Sequence, residues 1–234
     1  RKDGYTEQLL QEAQVLKDRL KTRDIYLKNY LAWPIYLADT LEVKKWKAQY
    51  RGLLEMKEIP IDEKVYDLVQ TDKKFIPPDT VDNRYTWSKS LSKMRYEMIK
   101  DCNARICAGG RKAGYKGKMP GVLEEILIAS ELGCPLYLLG GFGGVVHDVC
   151  ELLQYNKCSD SLTEQWQDSC NKGYRELLQR YKERGEKVDY LEIQNKLRCI
   201  NLNNGLTKEE NEVLFNTVYV DEAVQLILKG LQSI

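Results

Sequence analysis

"RICAGGRKAGYKGKMPGVLEEI", residues Arg105–Ile126, is the stretch on which the fold turns. A short, largely apolar strand is read within "ARICAGG" (104–110). Five glycines and four cations follow it, and a proline and a pair of glutamates then open a segment of helical periodicity. This order predicts a strand, a glycine-rich turn and a helix from Pro120 to about Leu132. The pattern repeats at once: "CPLYLLGG", then Phe142 and "GG", then a helix from about Val145 to Gln154. Ten of the sixteen glycines lie between 109 and 144, so glycine is concentrated at the ends of these two strands. Short, continuously apolar strands are those of a parallel sheet buried on both faces. The expected class is therefore α/β, a parallel sheet with flanking helices.

Outside this centre the signals are mostly helical. "YTEQLLQEAQVLKDRL" (5–20) places Leu9, Ala13, Leu16 and Leu20 on one face. "DIYLKNY" (24–30) reads as a strand, 40–57 as a helix, and 58–84 as a long connection. Residues 85–100 form an amphipathic helix with Trp87, Leu91, Met94 and Met98 in line. From 155 to 234 the chain is a helical C-terminal portion, packed on what precedes it within a single domain of 1–234. "TKEE" (207–210) fits a capping box there. "VDEAVQLILKGL" is the last helix, with Gly230 as its C-cap.

Bulk composition narrows the function. At 234 residues, 43% apolar and 30% charged, the chain has the make-up of a soluble globular protein. A net charge of +1 supplies no global field for nucleic acid or a membrane surface, so any anion site must be local. No apolar run reaches the roughly 20 residues of a membrane span. Seven cysteines without a C-x-x-C pair argue against a disulfide framework, and the expected compartment is the cytoplasm. With His147 as the only histidine, neither a metal nor a cofactor is expected.

In an open parallel sheet ligands bind beyond the carboxyl ends of the strands, where both glycine clusters would lie. Gly109, Gly110, Gly114, Gly117 and Gly121 in the first loop, and Gly140, Gly141, Gly143 and Gly144 in the second, would let backbone amides approach a ligand. A helix opening at Pro120 offers free N–H groups to an anion. Arg111, Lys112, Lys116 and Lys118 add charge, and the whole suits a phosphate or phosphoribosyl group. Tyr115 either stacks on a base or covers its loop, and Phe142 does the same or anchors its turn in the core. Glu124 and Glu125 either complement the helix dipole or act on the ligand, bonding a ribose hydroxyl or serving as acid and base. His147 reads as a structural histidine, Arg95 as a solvated cation by default or else one that reaches a phosphate, and Trp33 as either pocket wall or core.

"PGVLEE" after a glycine-rich turn resembles the "PGGxGTxEE" signature of the LOG phosphoribohydrolases within the SLOG superfamily. "GGRKAGYKGKMPGVLEEILIASELGCPLYLLGGFGG" is similar to SLOG domains of prokaryotic conflict and anti-phage systems, as are "NYLAWPIY" and "NGLTKEENEVLF…AVQLILKGL". The resemblance implies a Rossmann-like fold that binds nucleotides or nucleotide-derived ligands. In LOG enzymes the arginine and glutamates around the signature handle a nucleoside monophosphate and support cleavage of its N-glycosidic bond. In conflict systems the domain senses a nucleotide second messenger, such as a cyclic ADP-ribose variant, and controls a linked effector. Gly121, Glu124 and Glu125 match the signature, and Gly110 and Gly117 match the approach to it. One glycine follows the proline instead of two, and Val122-Leu123 replaces the Gly-Thr step.

These departures favour sensing over hydrolysis. The expected partners are a nucleotide-derived small molecule, a fused or associated effector domain and further copies of the chain. A nucleotide N-glycosidase or sugar transferase using Glu124 and Glu125 is the second reading, and a non-catalytic interaction module the third. "RKDG" is expected to be the tail of a first ligand loop, with Arg1 or Lys2 on the ligand.

Overall fold

The computed structural model describes residues 5–21, 27–38 and 41–234. "RKDG" and its two cations lie outside these residues, as does the start of "DIYLKNY". The chain forms two compact units, Arg1–Ile76 and Pro77–Ile234.

The first unit holds α1 (Tyr5–Leu20), β1 (Leu27–Ala32), α2 (Leu41–Gln49) and β2 (Leu54–Ile59). β1 and β2 are parallel, from Leu27 opposite Leu54 to Ala32 opposite Ile59. The helix expected over 40–57 therefore stops at Gln49, and its last four residues are strand. A turn intervenes in which Gly52 takes φ +80°, a conformation that ends helices. Among the described side chains of α1, Leu10 and Ala13 are buried, packed with Tyr50 and Leu53. Leu9, Leu16 and Leu20 are exposed, so the true core-facing stripe is turned from the predicted one. Trp33 is core: it is buried, and its indole N–H donates to the Asp72 carbonyl at 2.7 Å.

The second unit runs α3 (Val81–Lys100), β3 (Arg105–Ala108), α4 (Gly121–Glu131), β4 (Leu136–Leu139) and α5 (Gly144–Tyr155), the two strand–loop–helix units of the sequence. Then come α6 (Glu164–Cys170), α7 (Tyr174–Glu183), α8 (Tyr190–Arg198), α9 (Lys208–Asn216) and α10 (Val220–Leu231). β3 and β4 are parallel, with Arg105 opposite Leu136 and Ala108 opposite Leu139. The architecture is α/β with parallel pairing. Among the described residues the pairing falls into two sheets of two strands each, smaller than the parallel sheet expected. β4 is buried throughout, but Ile106 and Ala108 of β3 are exposed, so this sheet is not covered on both faces.

Polar groups hold much of the second unit. α3 begins four residues before the predicted start, capped by Thr80, whose hydroxyl accepts from the Asn83 amide at 3.1 Å. Its buried residues include Ser88, Lys89 and Arg95, whereas Trp87, Met94 and Met98 are half-exposed. The hydrophobic stripe misplaces the buried face because these polar groups have partners inside. Ser88 bonds the Tyr181 hydroxyl at 2.7 Å, and Lys89 donates to Glu186 at 2.8 Å. β4 carries a cluster of Tyr137 and Leu139 with Leu214, Ala223 and Ile227. Asn204, buried, fastens it by donating to the Leu136 carbonyl at 2.7 Å and to Asn211 at 2.8 Å.

The capping box at Thr207 and Glu210 is present. Gly230, however, is inside α10, whose cap residue is Gln232 in ordinary right-handed geometry. A Cβ there would overlap the Asn204 carbonyl and lie 2.6 Å from the Tyr137 hydroxyl, so the glycine admits close packing and does not cap. Gly230→Ala should gain roughly 1 kcal/mol of helix propensity yet lower stability by about 1–3 kcal/mol through overpacking. A denaturant melt showing stabilisation would remove the packing role.

Candidate functional site

The two glycine loops meet. Gly109 and Gly110 leave β3 with φ of +65° and +91°. Their carbonyls accept hydrogen bonds from the amides of Val146 and Val145, each at 3.0 Å. A helix leaves its first amides without internal partners, and here protein carbonyls answer two of them. The N-terminus of α5 is thus capped by the first loop, and those amides are not offered to a phosphate. The contact leaves no space for side chains: a Cβ on Gly144, whose φ is +67°, would overlap the Gly109 carbonyl. A Cβ on Gly110 would lie 2.9 Å from both Val122 and Val145.

Gly140 and Gly141 face the other way, against the carbonyls of Phe215 and Thr217 at the end of α9. Gly143 borders open space, and Phe142 is 42% exposed, so it does not anchor the turn in the core. His147 is exposed on α5, which corrects its reading as a structural histidine.

The start of α4 is different. Pro120 is the N-cap residue, one position before the predicted first helical turn, and it makes no side-chain cap. The amides of Gly121, Val122 and Leu123 have no acceptor among the described residues. Beside them lies Arg95 of α3, only 8% exposed. A Cβ on Gly121 would be 2.7 Å from its Nη2, and one on Gly117 would be 3.2 Å from its Nη1. The glycines of the "PG" step therefore make room for a guanidinium.

Arg95 is also the partner of the signature glutamates. Its Nη1 donates to Glu124 Oε2 at 2.5 Å, and its Nε lies 3.7 Å from Glu125 Oε1. Glu124, 2% exposed, further accepts from Ser92 Oγ at 2.5 Å and lies 3.4 Å from Lys118 Nζ. Arg105 pairs with Glu125. Three cations thus surround two carboxylates, leaving one net positive charge at the mouth of α4. Arg95 Nε is buried without a hydrogen-bond acceptor. The arrangement suits an anion. It suits a general base poorly, because donors already occupy both oxygens of Glu124.

The loop between is fastened to α6 and α7. Gln167, fully buried, accepts from the Tyr115 hydroxyl at 2.6 Å and donates to the carbonyls of Lys112 (3.2 Å) and Ser161 (2.6 Å). The Gly114 amide donates to Asn171 at 2.7 Å, and the Tyr174 hydroxyl to the Lys118 carbonyl at 2.5 Å. Tyr115 packs edge-on to Tyr174 with ring centroids 6.2 Å apart, and burial raises its pKa well above the ordinary phenol value. It covers the loop; its ring is not free to stack on a base. Lys112 pairs at 2.8 Å with Asp148, a buried carboxylate that also accepts from Ser161. Arg111 and Lys116 are exposed.

Burial raises the thiols of Cys107 and Cys150 to about 12, so neither is a nucleophile at neutral pH. Among the described residues no three His, Cys, Asp or Glu side chains converge as a metal site needs. Glu124 and Lys118 also line a cleft of about 130 Å3 against α8, far smaller than the roughly 300–1,000 Å3 of small-molecule sites.

Residues 1–214 match the family described as SLOG cluster2. The chain belongs to the SLOG family. Comparison with curated proteins and with solved structures yields no match. The matched residues of this SLOG domain contain both glycine loops and the whole charged cluster, while α10 lies beyond them. No described helix is long and apolar enough to cross a membrane.

Sequence reasoning missed Ser92, Asp148 and Gln167, and its default reading of Arg95 as a solvated cation is corrected by the burial of that residue beside Glu124. The signal available for Arg95 and Ser92 was their spacing of three on one helix, which places a hydroxyl and a guanidinium on the same face. Arg95→Ala should cost about 3–5 kcal/mol, because it leaves Glu124 buried without its charge partner. The double variant Arg95→Met/Glu124→Leu should recover most of that loss; a thermal melt in which the single change is harmless would contradict the buried pair. Gln167→Ala should cost about 1–3 kcal/mol and speed amide exchange over 112–118 by about tenfold or more. Unchanged exchange there would mean that Gln167 does not hold the loop.

Proposed function

We propose that this SLOG domain is a ligand sensor: it binds a nucleotide-derived second messenger, such as a cyclic ADP-ribose variant, and controls a linked or associated effector in prokaryotic defence. The observation that carries this reading is the N-terminus of α4. Its unpaired amides at Gly121, Val122 and Leu123 lie beside the Arg95 guanidinium, in a local excess of positive charge. Oriented amides and a guanidinium together recognise phosphate oxygens. Arg111 and Lys116, exposed on the same loop, supply further cations for a second phosphate or a long polyphosphate.

Binding without turnover follows from the state of the carboxylates. Glu124 is engaged by Ser92, Arg95 and Lys118, and in this role it orients the guanidinium. Val122 and Leu123 are larger than the Gly-Thr step of hydrolytic relatives, which supports the same conclusion.

The test is a thermal-shift screen with nucleoside monophosphates, NAD, ADP-ribose and cyclic ADP-ribose isomers, with product analysis of each mixture. A ligand at a hundred times its Kd adds about 2.7 kcal/mol, a rise of roughly 5–10 °C for a domain of this size. The ligand should be recovered intact. Arg111→Ala/Lys116→Ala should weaken binding about tenfold with the fold unchanged, since both residues are exposed. Gly121→Ala, which pushes on Arg95, should abolish the shift. Release of free base would instead establish an N-glycosidase, and no shift with any ligand would sink the sensor reading.

A further inference from the structure

The connections that lead into β3 and β4 each carry a cysteine, Cys102 and Cys134, and both are free thiols. The strands run parallel with Arg105 opposite Leu136. The pairing continues back beyond them, since the Arg105 amide donates to the Pro135 carbonyl at 2.7 Å. Carried back two residues, the register sets Asn103 opposite Cys134, with Cys102 one step away. Paired strands lie about 4.8 Å apart and rise about 3.3 Å per residue, so the two Cα atoms stand roughly 5.8 Å apart. A disulfide spans Cα separations of about 4.4–6.8 Å. The Cys134 thiol already points across, with its sulfur 3.8 Å from the Cys102 carbonyl oxygen. The Cys102 thiol donates to the Met98 carbonyl at 3.2 Å, a weak bond that rotation about χ1 gives up. Cys107 stands opposite Leu138, four residues past Cys134 and about 13 Å along the strand, out of reach.

We infer that Cys102 and Cys134 are an oxidation site, a thiol pair that closes to a disulfide in the folded chain. The co-reactant is a small disulfide of the oxidised-glutathione class. The thiolate of Cys102, the more accessible of the two, attacks one glutathione sulfur, forming a mixed disulfide and releasing one glutathione thiolate. The Cys134 thiolate then attacks the Cys102 sulfur, forming the protein disulfide and releasing the second glutathione. The protein gives up two electrons and two protons, and both end on two glutathione thiols.

The bond closes a ring of β3, the first glycine loop and α4, which includes Arg105, Gly121, Glu124 and Glu125. It forms at the entry ends of the strands, whereas the glycine loop leaves from their exit ends, so closure braces the frame of the charged cluster without occupying it. The inference is independent of which ligand the loops bind. Burial holds both thiols above the ordinary range. Arg105 opposes this at each, while Asp101 and Glu125 add to it at Cys102. Exchange proceeds through thiolates and is therefore faster in mild alkali.

The test uses the full chain with Cys170→Ser and Cys199→Ser, which removes the two exposed thiols. Excess oxidised glutathione at about pH 8.5 supplies the oxidant. The intact mass should fall by two hydrogens, and a digest should contain the Cys102–Cys134 peptide pair. The melting temperature should rise by roughly 5–10 °C and return on reduction with dithiothreitol. Cys102→Ala should abolish both the link and the rise, as should Cys134→Ala, with circular dichroism reporting that each variant folds. An unchanged mass, glutathione adducts alone, or Cys134 linked to any cysteine other than Cys102 overturns the assignment. A Cys102–Cys134 link that lowers the melting temperature overturns the bracing role.

Discussion

Two backbone hydrogen bonds, from Val146 to Gly109 and from Val145 to Gly110, set the geometry on which the rest of the second unit depends. They join the end of β3 to the start of α5 and so fix how far the first loop can travel before it turns back toward α4. They require glycine at Gly144, because any side chain there would overlap the Gly109 carbonyl. They also bear on which helix the proposed anion site would use. A helix start has a small stock of unpaired amides. At α5 the protein consumes part of that stock itself, whereas at α4 it does not.

What α4 offers is shaped by the cost of burying charge. Arg95 and Glu124 are both nearly inaccessible, and neither could be so alone. Ser92, Lys118 and Glu125 complete the set, so the cluster is held by charge-assisted bonds from α3, β3 and the loop. With both Glu124 oxygens already engaged, the cluster fits the proposed recognition of an anion better than movement of a proton. The same loop is stitched to α6 and α7 by Gln167, Asn171 and Tyr174, so its exposed cations, Arg111 and Lys116, stand on a fixed support.

Much of this was legible beforehand where the signal was local. β3, β4, α4, α5, the capping box at Thr207 and the membership implied by "PGVLEE" rest on short-range rules: apolar run length, glycine where φ is positive, a hydroxyl three residues before a glutamate. Errors appear where partners distant in sequence decide the outcome. The residues of β2 read as the end of a helix because nothing nearby shows that Leu54–Ile59 pairs with Leu27–Ala32. The buried face of α3 was misplaced because Lys89 and Arg95 become core residues only with Glu186 and Glu124 opposite them. Gly230 read as a cap because its true neighbours, Asn204 and Tyr137, lie far away along the chain.

The sequence by itself determined the class of the protein, the family to which it belongs and the location of its glycine-rich loops. Only the tertiary structure decided which residues those loops face. Gly140 and Gly141 turn to the end of α9, Tyr115 turns inward to Gln167, and Arg95 comes to lie beside Gly121. The physical reason is range. Glycine and proline act on their own backbone and can be read where they stand, but the burial of a charge or a hydroxyl is decided by a partner that folding must first bring to it.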